Sequence, residues 1–212
     1  MALIAVSAIP LTAGTLRLTQ LAGGPAAIPA DHRFAGFPLP LVVHIVGATT
    51  YALLGILQFL PRLRRGHPAW HRRAGRVLAV AGLLVALSAI WTTLFYEAQP
   101  GTGDHLLHVL RLILASAMAA GLVLGLAAAR RRDIAAHRAR MIRTYAIGLA
   151  AGTQVFNQGI GGTIFGTGVL AADLAKDAGW AINLAIAESA IRRPARHRPA
   201  LPTSPQPAGA LA

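Results

Sequence analysis

The chain has 212 residues, of which 55% are hydrophobic and only 13% charged, with a formal net charge of +13 and a mean hydropathy of +0.55. Soluble domains carry about a quarter of their residues as charges, so this balance excludes an ordinary water-soluble fold. The chain has no cysteine, which excludes disulfides, thiolate metal sites and iron–sulfur clusters.

A helix needs about 20 apolar residues to cross about 30 Å of hydrocarbon, so a chain of this length has room for about six crossings. The first apolar run, residues 2–22, contains Pro10 and Arg17, and the arginine is expected to snorkel. It has neither a basic leader segment nor a small-residue cleavage site, so it reads as a retained first span. A Gly/Pro-rich loop follows, carrying Asp31, His32 and Arg33. The second span, 39–60, holds His44 and Gln58 and ends at an arginine-dense segment from Arg62 to Arg76. The third and fourth spans are expected over 77–97 and 105–129, and a second basic block runs from Arg130 to Arg143. The fifth covers 141–163 and the sixth 172–191, followed by Arg192, Arg193, Arg196 and Arg198. The Pro-rich tail, 194–212, is expected to be disordered and cytoplasmic.

The three arginine-dense segments fall on one side of a six-span topology, which predicts a bacterial inner-membrane protein with both termini in the cytoplasm. Arginines clustered beside apolar runs point to anionic lipid as partner, not to nucleic acid. Gly121 with Gly125, and Gly148 with Gly152, have the four-residue spacing that lets helix backbones approach closely in lipid. His71-Arg72 follows Arg65 by six positions and His137-Arg138 follows Arg131 by six, a short internal repeat with its next arginine displaced by one. Two similar hairpins predict an all-α polytopic bundle whose four-helix core comes from spans two to five, with spans one and six at its flank.

The stretches HIVGATTYALLGILQFLPRLRRGHPAWHRRAGRVL (44–78), RRRDIAAHRARMIRTYAIGLAAGT (130–153) and WAINLAIAESAIRR (180–193) resemble the bacterial predicted-membrane-protein family called domain of unknown function 2306 (DUF2306). The resemblance runs from about Arg17 to Arg193. It implies the membrane architecture and carries no activity or ligand.

Ionisable groups at membrane depth face a bundle interior, a cavity or a cofactor, so the histidines are the leading candidates. His44 and His108 lie near the outer ends of their spans, His71 and His137 at the inner mouths of theirs. Two histidines on facing helices can clamp a haem iron, so the expectation is haem b held by His44 with His108 outside and His71 with His137 inside. Arginines beside His71 and His137 would meet the haem propionates. The layout resembles that of the two-haem membrane cytochromes b in architecture alone. His105, His108 and Arg111 form a second candidate, a stripe that with Glu97 would take an anion or a quinone headgroup. Gln154, Asn157, Gln158, Asn183 and Glu188 read as interhelical hydrogen-bonding glue, with Glu188 pairing to a neighbouring arginine. No phosphate loop, His-Glu-x-x-His or nucleophile elbow is present. The alternative is a haem-free small-molecule or ion transporter, or a membrane-organising protein.

Overall fold

A computed structural model describes residues 2–29, 31–97, 104–165 and 169–193. The expected turn after Glu97 and the expected disordered tail lie outside these residues. Among the described residues the chain is all helical: α1 (Ala2–Leu21), α2 (Leu39–Gln58), α3 (Pro61–Gly66), α4 (Pro68–Phe95), α5 (Asp104–Arg130), α6 (Ile134–Gly148), α7 (Ala150–Phe165) and α8 (Val169–Arg192).

The helices start where the sequence supplies the chemistry for it. Pro61 and Pro68 open α3 and α4 at positions whose backbone N–H would have no partner in any case. The arginine-dense segment after the second span is therefore helical, and α4 begins nine residues before the apolar run at Val77. Between α5 and α6 the chain reverses in three residues. Arg132 takes the left-handed conformation (φ 61°) that ends a helix, and the Asp133 carboxylate accepts from the Ala136 N–H at 2.9 Å to start the next.

Three of the described helices are long and apolar enough to cross a membrane: Leu39–Gln58, Pro68–Phe95 and Leu106–Arg130. α1 runs unbroken through Pro10, and α8 carries the charged residues Asp173, Lys176, Asp177 and Glu188. The expected fifth span is two helices, α6 and α7, of 15 and 16 residues. They meet at Leu149, whose carbonyl accepts from the Gly152 N–H at 3.1 Å in a tighter three-residue loop.

The packing order is a ring: α2 against α4, α4 against α5, α5 against α6, and α6 back against α2. Diagonal partners, α2 with α5 and α4 with α6, are not among the main packed pairs. Outside the ring, α8 lies on α7 and α6, and α1 touches α2 and α7.

Its centre is a cluster from α2, α4, α5 and α6, with Tyr51, Val85, Met118, Leu122 and Tyr145 among its members. Glycines make room for the large rings. A Cβ at Gly82 or Gly148 would stand 2.6 Å or 2.8 Å from the Tyr51 ring, so that ring sits between two helices stripped of side chain at those points. Tyr145 occupies the space above Gly55 and donates from its hydroxyl to the Ala52 carbonyl at 2.8 Å.

The two glycine pairs act differently. Gly121 faces Thr144 and Gly125 faces Met141, which makes one continuous seam between α5 and α6. Gly148 faces Tyr51 and Met118, whereas Gly152 lies against the Val6 carbonyl of α1. Substituting Gly152 by Val should therefore push α1 away and leave the ring intact. Because the chain has no native cysteine, the check is direct. A Gly14→Cys/Ile45→Cys pair, placed where α1 touches α2, should cross-link readily and lose that cross-link when Gly152→Val is added. Retained cross-linking would mean that Gly152 does not hold α1 in place.

Candidate functional site

The four candidate histidines share one geometric relation. His44 precedes Tyr51, His71 precedes Leu78, His108 precedes Ala115 and His137 precedes Thr144, each by seven residues within one helix. Seven residues is two turns less about 20°, so each histidine shares a helix face with its partner, about 10.5 Å along the axis. The partners belong to the packed interior: Tyr51, Ala115 and Thr144 are buried, and Leu78 packs on the central cluster. Each histidine stands on the N-terminal side of its partner. Since α2 and α5 run opposite to α4 and α6, His44 and His108 lie toward one end and His71 and His137 toward the arginine-rich end.

Their immediate surroundings differ. His44 is partly buried, with Nδ1 3.0 Å from the Ser88 hydroxyl. That hydroxyl has one hydrogen and donates it to the Leu84 carbonyl at 2.6 Å, so it accepts from His44. His137 Nδ1 lies 2.9 Å from the Gly125 carbonyl, which can only accept. Both imidazoles therefore donate from Nδ1, the arrangement of a metal-ligating histidine held by an oxygen acceptor, whose neutral form offers the Nε2 lone pair. His71 has a buried Nδ1 with no hydrogen-bond partner among the described residues. It lies within electrostatic reach of His137, Arg64 and Arg72, and its carbonyl accepts from Gln58 at 3.2 Å. His108 is exposed at the open end of its stripe.

The second candidate group is distributed otherwise. Arg111 stands within electrostatic reach of Asp173 and Asp177 on α8, and of Arg33 in the loop. Lys176 pairs with Asp173 at 3.6 Å, and both Asp177 carboxylate oxygens are buried with no hydrogen-bond partner among the described residues. Arg111 thus faces carboxylates of its own chain. The side chain of His105 lies outside the described residues.

At the same end the loop between α1 and α2 is fixed onto the end of α4. Arg33 donates to both carboxylate oxygens of Asp31, at 2.8 and 2.6 Å, and to the Glu97 carbonyl at 3.3 Å. Those Arg33 hydrogen bonds hold the Asp31 carboxyl below its ordinary value, with the charges of Arg33 and Arg17 acting in the same direction. Phe34 stacks on Tyr96 with ring centres 4.9 Å apart, and the Tyr96 hydroxyl donates to the Phe37 carbonyl. An open cavity of about 1060 Å³ lies between this loop and the end of α4.

The polar residues of α7 and α8 bind helices to each other. Thr153 donates to Asn183 at 2.8 Å, Asn183 to the Ala146 carbonyl at 3.1 Å, and Gln154 and Asn157 to carbonyls of α8. Glu188 accepts from Arg143 at 2.5 and 3.0 Å and stands 4.0 Å from Arg192. Sequence reasoning had no means of finding Ser88 or the Gly125 carbonyl, because their role depends on helices that are distant in the chain. The charged residues of α8 were visible, but not their juxtaposition with Arg111.

No curated protein and no solved structure matches the chain. Residues 41–191 match the family described as predicted membrane protein, DUF2306, an interval that holds α4, α5, α6 and α7 whole and all four candidate histidines. The chain accordingly belongs to the DUF2306 family of predicted membrane proteins.

Proposed function

We propose that this protein is a six-span bacterial inner-membrane electron carrier with both termini in the cytoplasm. In this reading its four-helix ring holds two b-type haems, one between His44 and His108 near the outer face and one between His71 and His137 near the cytoplasmic face. The observation that carries the proposal is the common seven-residue offset of all four histidines from residues of the packed interior, with each pair on helices that stand diagonally in the ring. Side chains that served only as polar loop residues would have no reason to share that face.

The donor set suits the group. Imidazole is a common axial ligand of haem iron, and the Nδ1 protons of His44 and His137 are already committed to Ser88 and Gly125. Bound haem supplies one-electron chemistry by cycling its iron between two oxidation states. The protein's residues do the rest. Ser88 and the Gly125 carbonyl fix ring orientation, and Arg72 and Arg138, adjacent in sequence to the inner histidines, supply cations for propionate carboxylates. The packed layer of Tyr51, Met118, Leu122 and Tyr145 separates the two ends and excludes water between them. Purification after expression with ample haem should give a Soret band that shifts on reduction. A protein that folds in detergent and remains optically featureless would end this reading.

One observation favours a second reading, a haem-free ion transporter. Arg111, Asp173, Lys176 and Asp177 form a charged cluster between α5 and α8, and such groups at membrane depth line ion paths in many transporters. Under that reading Asp177→Asn would abolish ion flux in liposomes, and the histidine variants would leave it unchanged.

A further inference from the structure

The cavity between the loop and α4 has a charge pattern that the electron-transfer reading does not use. On the loop side the Asp31 carboxylate is engaged by Arg33, which leaves Arg17 as the surplus cation. Arg17 is held in place by donating from Nη1 to the Gln20 side chain at 2.7 Å and from Nη2 to the Pro29 carbonyl at 2.9 Å. Neither partner carries a charge. Across the cavity Glu97 lines the wall, and its side chain makes no ion pair among the described residues. The loop side, with Arg17 and Arg33 against Asp31, therefore carries one net positive charge, and it faces the Glu97 carboxylate across the same space.

The remaining wall is aromatic and open. Trp91, Phe95 and Phe37 line the cavity while 47%, 67% and 50% exposed, and the Trp91 and Phe95 rings stand 4.6 Å apart. Exposed aromatic rings at the end of a membrane-crossing helix mark the interface between headgroups and acyl chains. The cavity thus opens where lipid headgroups lie, with apolar rings directed to the chains.

We propose that this cavity binds one phospholipid with a zwitterionic phosphate-and-ammonium headgroup, phosphatidylethanolamine in chemical class. The phosphate is placed at Arg17, the ammonium at Glu97 and the upper acyl chains along Trp91 and Phe95. An anionic lipid would satisfy Arg17 and leave Glu97 facing a like charge. A quaternary ammonium headgroup would bring positive charge without N–H donors for the carboxylate. The guanidinium supplies two-pronged recognition of phosphate, and the primary ammonium supplies the hydrogen bonds that separate this headgroup from its methylated counterpart.

The test uses the full chain with Trp70→Phe and Trp180→Phe, which leaves Trp91 as the sole tryptophan. The protein is reconstituted into vesicles of phosphatidylcholine containing increasing fractions of chain-brominated phosphatidylethanolamine or brominated phosphatidylglycerol. Bromine quenches indole fluorescence on contact. Phosphatidylethanolamine should reach half-quenching at a mole fraction about threefold lower than phosphatidylglycerol, as expected for one partly exposed ion pair. Glu97→Gln should bring the two lipids to the same curve, and Arg17→Gln should raise the half-quenching fraction of both. Circular dichroism of each variant identifies any that fail to fold, and Glu97→Asp, which keeps the charge, should restore the preference. Equal quenching by the two lipids in the parent chain would overturn the proposal, as would a preference that survives Glu97→Gln. Displacement by soluble phosphoethanolamine would assign the cavity to a water-borne ligand and overturn the lipid assignment.

Discussion

Under the proposed ligation, alanine at His108 is expected to halve the haem content and to leave the fold unchanged. His108 is exposed and takes part in no packing of the central cluster, so its loss leaves no cavity among buried side chains. His44→Ala should remove the same half, because both histidines belong to one proposed pair. His71→Ala and His137→Ala should each remove the other half. The signature is thus a pattern of equivalences: 44 with 108, and 71 with 137. Iron content per chain and the reduced-minus-oxidised difference spectrum read it directly. A second readout separates loss of ligand from loss of fold, since Ser88→Ala frees the His44 Nδ1 hydrogen bond without touching a ligand. That variant should retain haem and shift the midpoint potential of the outer centre alone, through weaker orientation and basicity of the ring. If all four alanine variants kept a full complement, or if the pairing were 44 with 71, the assignment would fail.

The second large effect concerns the glycine seats. Gly55→Ala places a methyl group into the Tyr145 ring, 2.6 Å from Cζ and closer still to Cε2. The ring cannot swing aside freely, because its hydroxyl is anchored to the Ala52 carbonyl one turn away on the same helix. Relief requires either helix separation or loss of a buried hydrogen bond, so the substitution should destabilise by roughly 2–4 kcal/mol. Gly75→Ala is the control. It adds the same methyl group to a helix interior, but nothing lies within 4 Å of the new atom. There the lower backbone entropy of alanine should dominate and stabilise by about 0.5–1 kcal/mol. Unfolding in detergent with increasing fractions of a denaturing surfactant would compare the two. Equal effects of the two substitutions would show that Tyr145 does not pack as described.

Much of this molecule could be read from local composition, and the reason is the solvent. Apolar runs of spanning length, broken by arginine-rich connections, are properties of contiguous sequence, so α2, α4 and α5 were legible without tertiary information. Apolarity does not mark the segment from Pro61 to Arg76 as helical, and there proline at the first helical position counts for more than the density of charge. Local composition runs α6 and α7 together, because apolarity is continuous through Leu149 while the helix is not. Glycine spacing indicated close approach and could not say to what: Gly121 and Gly125 share a seam, whereas Gly148 and Gly152 meet different helices.

For the candidate site the division is sharper. Residue type alone singled out His44, His71, His108 and His137, since imidazole is rare and costly beside hydrocarbon. That each of the four lies two turns before an interior residue could not be known until Tyr51, Leu78, Ala115 and Thr144 were seen to be interior, because spacing means nothing without a core to measure it from. The partners that fix the rings, Ser88 for His44 and Gly125 for His137, come from other helices, 44 and 12 positions away. Sequence by itself determined which segments are helices suited to lipid and which side chains are candidates for chemistry, because both follow from local polarity. Only the tertiary structure decided the ring order, the inward register and the opposed charges of the cavity, because each depends on contacts between helices that the chain order does not specify.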